Sequence, residues 1–342
     1  MTRLQISSVL ALLITLGLSP PLPASTGQER AQAAGATLIG TQAPALKLKT
    51  IDGQLIDLGS LYGRKAVYLK FWATWCVPCR QQMPHFEHTY EHAGRDLVVI
   101  AVNAGFNDTL DDVKAYRRTV GLKMPIVIDD GRLADALNLR VTPQHVVIGR
   151  DGKITYIGHL VDDRLEAALT SAQVQPITAV AAVAKVPARS QALAVGASIP
   201  SKVLKAADGS DIPLRDPTAT RSTVLMFMSP WCESYLEKSR PQRSAACKRA
   251  REQSEQLAGD SHLRWVGIAS GLWASAEDLA DYSGEKHVTI PLSLDETGAL
   301  FRQFGVTEVP TMIVVDPNGR ISARIDDVSD HLAGQLTGVG QR

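Results

Sequence analysis

Short runs of apolar residues alternate along the chain with longer amphipathic segments, and the same order of segments occurs twice. Such apolar runs predict strands buried on both faces, and the amphipathic segments predict helices. Asp-Gly and Asn-Gly pairs between short segments predict hairpins. The predicted turns, strands and helices are Asp52-Gly53, 66–72, 97–102, 110–120 and Asp151-Gly152 in the first copy, and Asp208-Gly209, 223–228, 264–269, 276–285 and Asn318-Gly319 in the second. This alternation predicts an α/β fold.

The two copies are related by a nearly constant distance along the chain. Trp75-Cys76 recurs 156 residues later as Trp231-Cys232, and eight positions upstream recur at the same distance. Beyond the cysteines the distance becomes 167, so the second copy is longer there by 11 residues, the difference between the two distances. A period this long indicates duplicated domains. We predict a signal peptide at 1–24, a first domain at 37–172, a linker at 173–192 and a second domain at 193–336.

The first residues indicate an export signal. Arg3 precedes an apolar run at 9–18, and small residues then offer cleavage after Ala24 or, as a second choice, after Ala33. The run is shorter than the roughly 20 apolar residues that span a bilayer, although an uncleaved anchor is the alternative. We therefore expect a periplasmic or secreted protein with no transmembrane segment once the signal is removed.

Composition narrows the possible functions. The formal net charge is +1, which gives no overall field for binding nucleic acid or an anionic membrane. Only 4 cysteines are present, too few for a disulfide-stapled scaffold but enough for a local redox site. In an oxidising compartment a dithiol reacts with oxidised partners.

The segment Trp75-Cys76-Val77-Pro78-Cys79 lies where a predicted buried strand gives way to a helix. A helix N-terminus favours an anion and lowers a thiol pKa from about 8.5. The spacing places both sulfurs on one face, and Pro78 suits a first helical turn. We expect Cys76 to be exposed and to attack, and Cys79 to resolve the mixed disulfide. A static disulfide or half of a zinc site is the alternative; the prediction includes no metal and no cofactor.

Residues 70–80 (KFWATWCVPCR), with Met83-Pro84 after them, resemble the TlpA/ResA-type thioredoxin-like proteins, which are exported reductases of bacteria. The resemblance covers about 37–172. It implies two tandem thioredoxin-like domains, each with a central mixed β-sheet flanked by helices. Thr142-Pro143 matches the family's cis-proline loop, which implies that Pro143 is cis and that the Thr142 backbone faces the dithiol to pair with a substrate strand. The implied partners are disulfide-containing exported proteins and an upstream reductant.

Two positions depart from the family pattern. Lys70 stands where thioredoxin has a buried Asp, and Gln82 stands where some ResA-type proteins have Glu. Lys70 either favours the thiolate and shuttles protons, or, as we favour, is a strand lysine whose head group reaches water. His145 is another candidate for proton handling, or an ordinary loop or strand residue. The helix predicted to follow the two cysteines also carries His85, His88 and His92. Their spacing would allow all three side chains to bind a metal, but we favour an exposed helix face.

The second copy has lost the dithiol, because Tyr235 replaces the resolving cysteine after Cys232. By resemblance, Val309-Pro310 keeps a cis-proline loop. Cys247 lies 15 residues after Cys232, about 22 Å away along one straight helix. Pro241 breaks that helix, and we favour a disulfide between the two cysteines over two separate thiols.

The leading hypothesis is a thiol–disulfide oxidoreductase that reduces periplasmic proteins through Cys76 and Cys79. The second domain then serves as a docking module for substrates or partners, or as an auxiliary redox module. One alternative is a peroxiredoxin-like peroxidase, although the segment before Cys76 lacks the proline of the usual peroxidase pattern. The other alternative is a non-enzymatic protein that binds copper or a partner.

Overall fold

The computed structural model describes residues 26–176, Val186 and residues 191–337. The predicted signal peptide and most of the predicted linker lie outside these residues. Among the residues described, no helix combines the length and the apolar character needed to cross a membrane.

The first copy is built around a five-stranded mixed sheet. Its elements are α1 (Gly27–Gly35), β1 (Lys47–Lys49), β2 (Leu55–Asp57), α2 (Leu58–Leu61), β3 (Ala66–Trp72), α3 (Val77–Gln81), α4 (Met83–Glu91), β4 (Leu97–Asn103), α5 (Leu110–Val120), β5 (Ile126–Ile128), α6 (Arg132–Ala136), β6 (Gln144–Ile148), β7 (Ile154–Gly158) and α7 (Asp163–Val174). The sheet order is β5-β4-β3-β6-β7, and β1 pairs with β2 as a separate hairpin. In the centre, β3 is parallel to β4 and antiparallel to β6.

The second copy repeats this architecture. Its elements are β8 (Val203–Lys205), β9 (Asp211–Pro213), β10 (Ser222–Met228), α8 (Cys232–Tyr235), α9 (Pro241–Leu257), β11 (Leu263–Ser270), α10 (Ala276–Glu285), β12 (Leu292–Asp295), α11 (Ala299–Gln303), β13 (Thr311–Val315), β14 (Ile321–Ile325) and α12 (Leu332–Thr337). The sheet order is β12-β11-β10-β13-β14. The predicted α/β fold is therefore confirmed, with two tandem domains that each hold a mixed sheet between helices.

The central strand of each sheet carries the site that follows it. All seven residues of β3 are buried, as expected for a strand covered on both faces. The strand ends directly before the Trp-Cys pair, so the buried sheet fixes the position of that pair. One apolar cluster runs from the first domain into the second and includes Trp75 and Phe106 on one side and Phe227 and Phe301 on the other.

Two helices extend beyond the range predicted for the first domain. Helix α1 lies before residue 37 and is capped by Thr26, whose side chain accepts a hydrogen bond from Glu29 N. It packs along β7. Helix α7 continues to Val174, two residues into the predicted linker.

The 11 additional residues of the second copy belong to the turn between α8 and α9 and to α9 itself. Helix α9 begins at Pro241 and runs back past α8. This reversal brings Cys247 to Cys232, with 6.2 Å between their Cα atoms, and the two cysteines form a disulfide. The pairing is the one that the sequence analysis favours.

Replacing both cysteines of this disulfide with serine is expected to destabilise the second domain by about 3 kcal/mol, the loop-closure entropy of a cross-link across 15 residues. Urea unfolding of Cys232→Ser/Cys247→Ser beside the oxidised wild-type protein measures the difference. Cys76→Ser/Cys79→Ser, which removes the other disulfide and keeps this one, is the matched control. Identical unfolding midpoints would contradict a stabilising role.

Candidate active site

Cys76 and Cys79 lie together at the start of α3. Cys76 is the N-cap residue, and Cys79 N donates a hydrogen bond to Cys76 Sγ over 3.2 Å. The two cysteines form a disulfide, and Pro78 occupies the first helical turn. The structure is therefore the oxidised state of a two-cysteine site, with a backbone N–H directed at the Cys76 sulfur.

The loop before β6 meets this disulfide. The Thr142–Pro143 peptide bond is cis, the geometry that the family resemblance implies. The carbonyl oxygen of Thr142 lies 3.4 Å from Cys76 Sγ. Any polypeptide chain that approaches the Cys76 sulfur from the side of this loop must therefore lie beside the Thr142 backbone.

The expectation that Cys76 is exposed is wrong. Cys76 and Cys79 are both 0% exposed and Trp75 is 2% exposed. The Trp75 ring stacks on Trp231 with 4.9 Å between ring centroids, and Tyr235 presents its edge to Trp75 at 6.2 Å. Trp231 and Tyr235 belong to the second domain. Packing of the two domains therefore covers the disulfide, and we call this packing the cover.

Tyr235 has a further contact that the sequence analysis missed. It stands where the second copy would carry a resolving cysteine, and its hydroxyl accepts a hydrogen bond from Val77 N over 2.9 Å. Val77 is the first residue of α3, so a second-domain side chain satisfies one of the unpaired N–H groups at that helix start. In the sequence, the only signal for this contact was that Tyr235 stands where the first copy has its second cysteine.

An ionic network joins the domains beside the dithiol. Asp108 accepts hydrogen bonds from Thr74 N at 2.8 Å and from Asn103 Nδ2 at 2.7 Å. Arg240 of the second domain reaches both Thr74 Oγ1, at 2.7 Å, and Asp108, at 2.9 Å. Burial raises the pKa of Asp108, and these hydrogen bonds and the Arg240 charge oppose that rise. The network fixes the residue two positions before Cys76.

Lys70 does not reach water, so the favoured expectation for it is wrong. Its residue is 0% exposed, and Nζ has no hydrogen-bond partner among the residues that the structure describes. Nζ lies 5.4 Å from the centroid of the Phe86 ring. Burial lowers the pKa of Lys70 to about 7. The amine is therefore poised to exist in neutral form near physiological pH.

His145, opposite Lys70 on β6, is also buried. Its Nε2 lies 2.8 Å from Gln82 Oε1 and its Nδ1 lies 2.7 Å from the Tyr68 hydroxyl. Because an amide oxygen only accepts, Nε2 carries the proton and Nδ1 accepts from Tyr68. Burial, with Lys70 nearby, lowers the pKa of His145 well below its usual range. A neutral histidine–glutamine pair thus occupies the place where the resemblance suggests a carboxylate.

The three helical histidines have ordinary surroundings. His85 Nε2 lies 2.7 Å from Glu166, and the rings of His88 and His92 lie 4.1 Å apart. Within residues 26–176, 186 and 191–337, no group of three or more potential metal-binding side chains comes together.

The second domain keeps the loop but not the dithiol. The Val309–Pro310 peptide bond is cis, and Cys232 lies at the start of α8 with its sulfur bonded to Cys247. Arg243 forms an ion pair with Glu308 beside this loop. Without a second cysteine on α8, the exchange chemistry of α3 has no local counterpart here.

Lys70→Met is expected to change how stability depends on pH. With its folded-state pKa lowered to about 7, Lys70 binds fewer protons in the folded than in the unfolded chain between about pH 7 and pH 10.4. Wild-type stability then rises with pH in that window by up to about 1.4 kcal/mol per unit. The variant lacks this rise, so its advantage is largest near pH 7 and vanishes above pH 10.4.

Urea unfolding of both proteins across this window measures the difference. Lys49→Met, at an exposed position of β1, is the control and should run parallel to wild type. Parallel curves for Lys70→Met as well would show that the Lys70 amine is not desolvated.

Several known proteins and two family models are similar in sequence to this chain. The AhpC/TSA family model matches residues 39–157, and the Redoxin model matches residues 194–334. The thiol-disulfide oxidoreductase ResA of Bacillus thuringiensis (strain Al Hakam) is 33% identical over 135 residues, covering 38% of this chain and 76% of that protein. The thioredoxin-like protein YneN of Bacillus subtilis is 35% identical over 133 residues, covering 38% and 78%.

ResA of Halalkalibacterium halodurans is 38% identical over 120 residues, covering 34% of this chain and 66% of that protein. Among solved structures, a thiol:disulfide interchange protein of the thioredoxin family from Chlorobium tepidum has 31% identity, covers 38% of this chain and 97% of its own, and has a TM-score of 0.32. The two model matches stand in tandem, as the internal repeat does. This chain belongs to the TlpA/ResA-type thioredoxin-like family of thiol–disulfide oxidoreductases.

Proposed function

We propose that this protein reduces disulfide bonds of exported proteins through Cys76 and Cys79. The observation that carries the proposal is the disulfide at the start of α3, held against the Thr142 carbonyl at 3.4 Å. A thiolate there has a backbone N–H donor at 3.2 Å. Such donors stabilise the anion that attacks a disulfide.

The reaction has two balanced exchange steps. The Cys76 thiolate attacks one sulfur of the substrate disulfide, forms a mixed disulfide and releases one substrate thiolate, which takes a proton. The Cys79 thiolate then attacks Cys76 Sγ and releases the second substrate thiolate. Two electrons pass to the substrate, and the Cys76–Cys79 disulfide remains. An upstream dithiol of matching potential restores the reduced pair.

The second step requires Cys79 to lose its proton inside the fold. Lys70 shares a face of β3 with Tyr68 and Trp72, because side chains alternate along a strand. Tyr68 and Trp72 belong to the same apolar cluster as Cys79. A neutral Lys70 amine on that face is our candidate acceptor for the Cys79 proton. Its cation, once formed, would stabilise the Cys79 thiolate by charge.

The second domain has a supporting role in this proposal. It carries Tyr235 where a resolving cysteine would stand, and its Cys232 is bonded to Cys247. Docking of substrates or partners fits these features better than a second exchange site. We place the protein in the periplasm or outside the cell, with cleavage after Ala24, on the strength of the N-terminal pattern at 1–24.

Cys76→Ser is expected to abolish reduction of insulin disulfides by the full-length protein, because the attacking sulfur is lost. Cys79→Ser should instead accumulate a mixed disulfide, which non-reducing electrophoresis and mass spectrometry detect. Cys232→Ser/Cys247→Ser is the control and should retain the rate. Loss of the rate in this control, while the second domain stays folded, would make the second disulfide an auxiliary redox module.

Peroxide consumption in the same set of variants tests the peroxidase alternative. Turnover of peroxide by Cys76→Ser, without reduction of insulin by wild type, would overturn the proposed reductase function.

A further inference from the structure

The domains meet through a pair of equivalent loops. In each domain the loop follows the strand next to the central one, at 104–109 after β4 and at 271–275 after β11. Asn107 N donates to Thr307 O over 2.8 Å, and Trp273 N donates to Arg140 O over 2.8 Å. Both accepting carbonyls lie three residues before a cis-proline. Each domain therefore inserts one loop beside the cis-proline loop of the other.

Side chains at equivalent positions of the two domains also make equivalent contacts. The indole nitrogens of Trp75 and Trp231 each donate to the same kind of loop, Trp75 to Phe106 O and Trp231 to Leu272 O, both at 2.8 Å. Asn107 Oδ1 accepts from Val309 N over 2.9 Å. The interface thus has a local twofold pattern, with self-complementary patches supplied by the two copies of one domain.

We call the surface along the cis-proline loop of the first domain, residues 140–143, the groove. Trp273 occupies this groove with both its backbone and its ring. Besides the backbone bond to Arg140 O, its Nε1 donates to Thr142 Oγ1 over 3.1 Å. The indole packs against His159, with 5.3 Å between ring centroids, and His159 Nδ1 lies 2.7 Å from Pro143 O. Thr142 in turn contacts the Cys76 sulfur. The Trp273 loop thus lies on the loop that flanks the disulfide.

This arrangement is incompatible with attack on a protein substrate. Cys76 is 0% exposed, whereas thiol–disulfide exchange requires a second sulfur to approach Cys76 directly. The same groove cannot hold an incoming chain and Trp273 together, because both need the 140–143 edge. Rim ion pairs between the domains are partly exposed, such as Arg302–Asp135 at 2.9 Å, and partly exposed pairs of this kind contribute little to closure.

We propose that residues 271–274 act as an internal pseudosubstrate, and that the groove at 140–143 binds a turn segment carrying a large aromatic side chain, as residues 271–273 do here with Trp273 at a φ of 62°. A backbone N–H of that segment donates to Arg140 O, and a side-chain donor reaches Thr142. Disulfide-bearing proteins with such a segment displace Trp273 before they reach Cys76. The inference rests on the proposed function and adds to it the class of substrate.

Trp273→Ala tests the cover. The full-length protein is reduced with excess small thiol, the thiol is removed, and the rate of iodoacetamide alkylation at Cys76 is followed by peptide mass mapping. Losing a hydrogen bond and a ring contact, together roughly 1.4 kcal/mol, should raise that rate about tenfold. Val203→Ala, at an exposed position of the second-domain hairpin, is the matched control and should match wild type. An unchanged rate in a folded Trp273→Ala protein would overturn the proposed role of Trp273 in covering Cys76.

A peptide experiment tests the aromatic requirement. The capped peptide Ser-Gly-Leu-Trp-Ala-Ser, the sequence of residues 270–275, should slow alkylation of Cys76 in Trp273→Ala. The same peptide with Ala in place of Trp should not. Equal protection by both peptides would overturn the proposed substrate class.

Insulin reduction separates this inference from the proposed function. Faster alkylation in Trp273→Ala without insulin reduction by either protein would remove the reductase function and leave the cover standing. Insulin reduction at equal rates, together with unchanged alkylation, would leave the reductase function standing and remove the cover.

Discussion

The packing of Trp75 on Trp231 is the interaction on which the site depends. The two indoles lie 4.9 Å apart within one apolar cluster that spans both domains, and aromatic pairs of this kind contribute beyond the area they bury. A disulfide is neutral and tolerates such burial, whereas a thiolate in the same place is a poorly solvated anion. The closed arrangement therefore suits the neutral disulfide.

The proposed mechanism uses a buried lysine in place of the buried carboxylate of related proteins. Burial drives Lys70 toward its neutral form, and burial with Lys70 nearby lowers the pKa of His145, whose ring nitrogens contact Tyr68 and Gln82. These two side chains thus add little fixed charge to the site interior while the disulfide is closed, which suits their burial. In the mechanism proposed above, Lys70 gains a proton when Cys79 loses one, so the two charges appear together.

The sequence predicted most of the secondary structure because its signals were local. The predicted helices at 110–120 and 276–285 match α5 and α10, and capping boxes at Thr109 and Ser275 begin both. The short strand β5 and the helix α1 were missed. Three residues of strand give no measurable periodicity, and α1 is stabilised by its packing on β7 far along the chain.

The candidate site was predictable only in part. Residue order alone placed the two cysteines at a helix start. The burial of Cys76, the dry environment of Lys70 and the role of Tyr235 depend on contacts between segments far apart in sequence, such as Val77 with Tyr235. The sequence pattern of a single segment carries no information about how two folded domains pack against each other. The expectations for Cys76 and Lys70 assumed a single exposed domain, and for that reason both were wrong.

Duplication explains why the second domain can cover the first without competing with it. A copy of the same domain brings loops of matching shape, which is how Asn107 and Trp273 come to lie in equivalent places. A copy that kept its dithiol would place two reactive pairs face to face and exchange with itself. In this chain Tyr235 replaces one of those sulfurs, and Cys247 bonds the other, so no cysteine of the second domain within residues 191–337 is a free thiol. The loss of chemistry in the second copy is what makes a stable closed pair compatible with a reactive first copy.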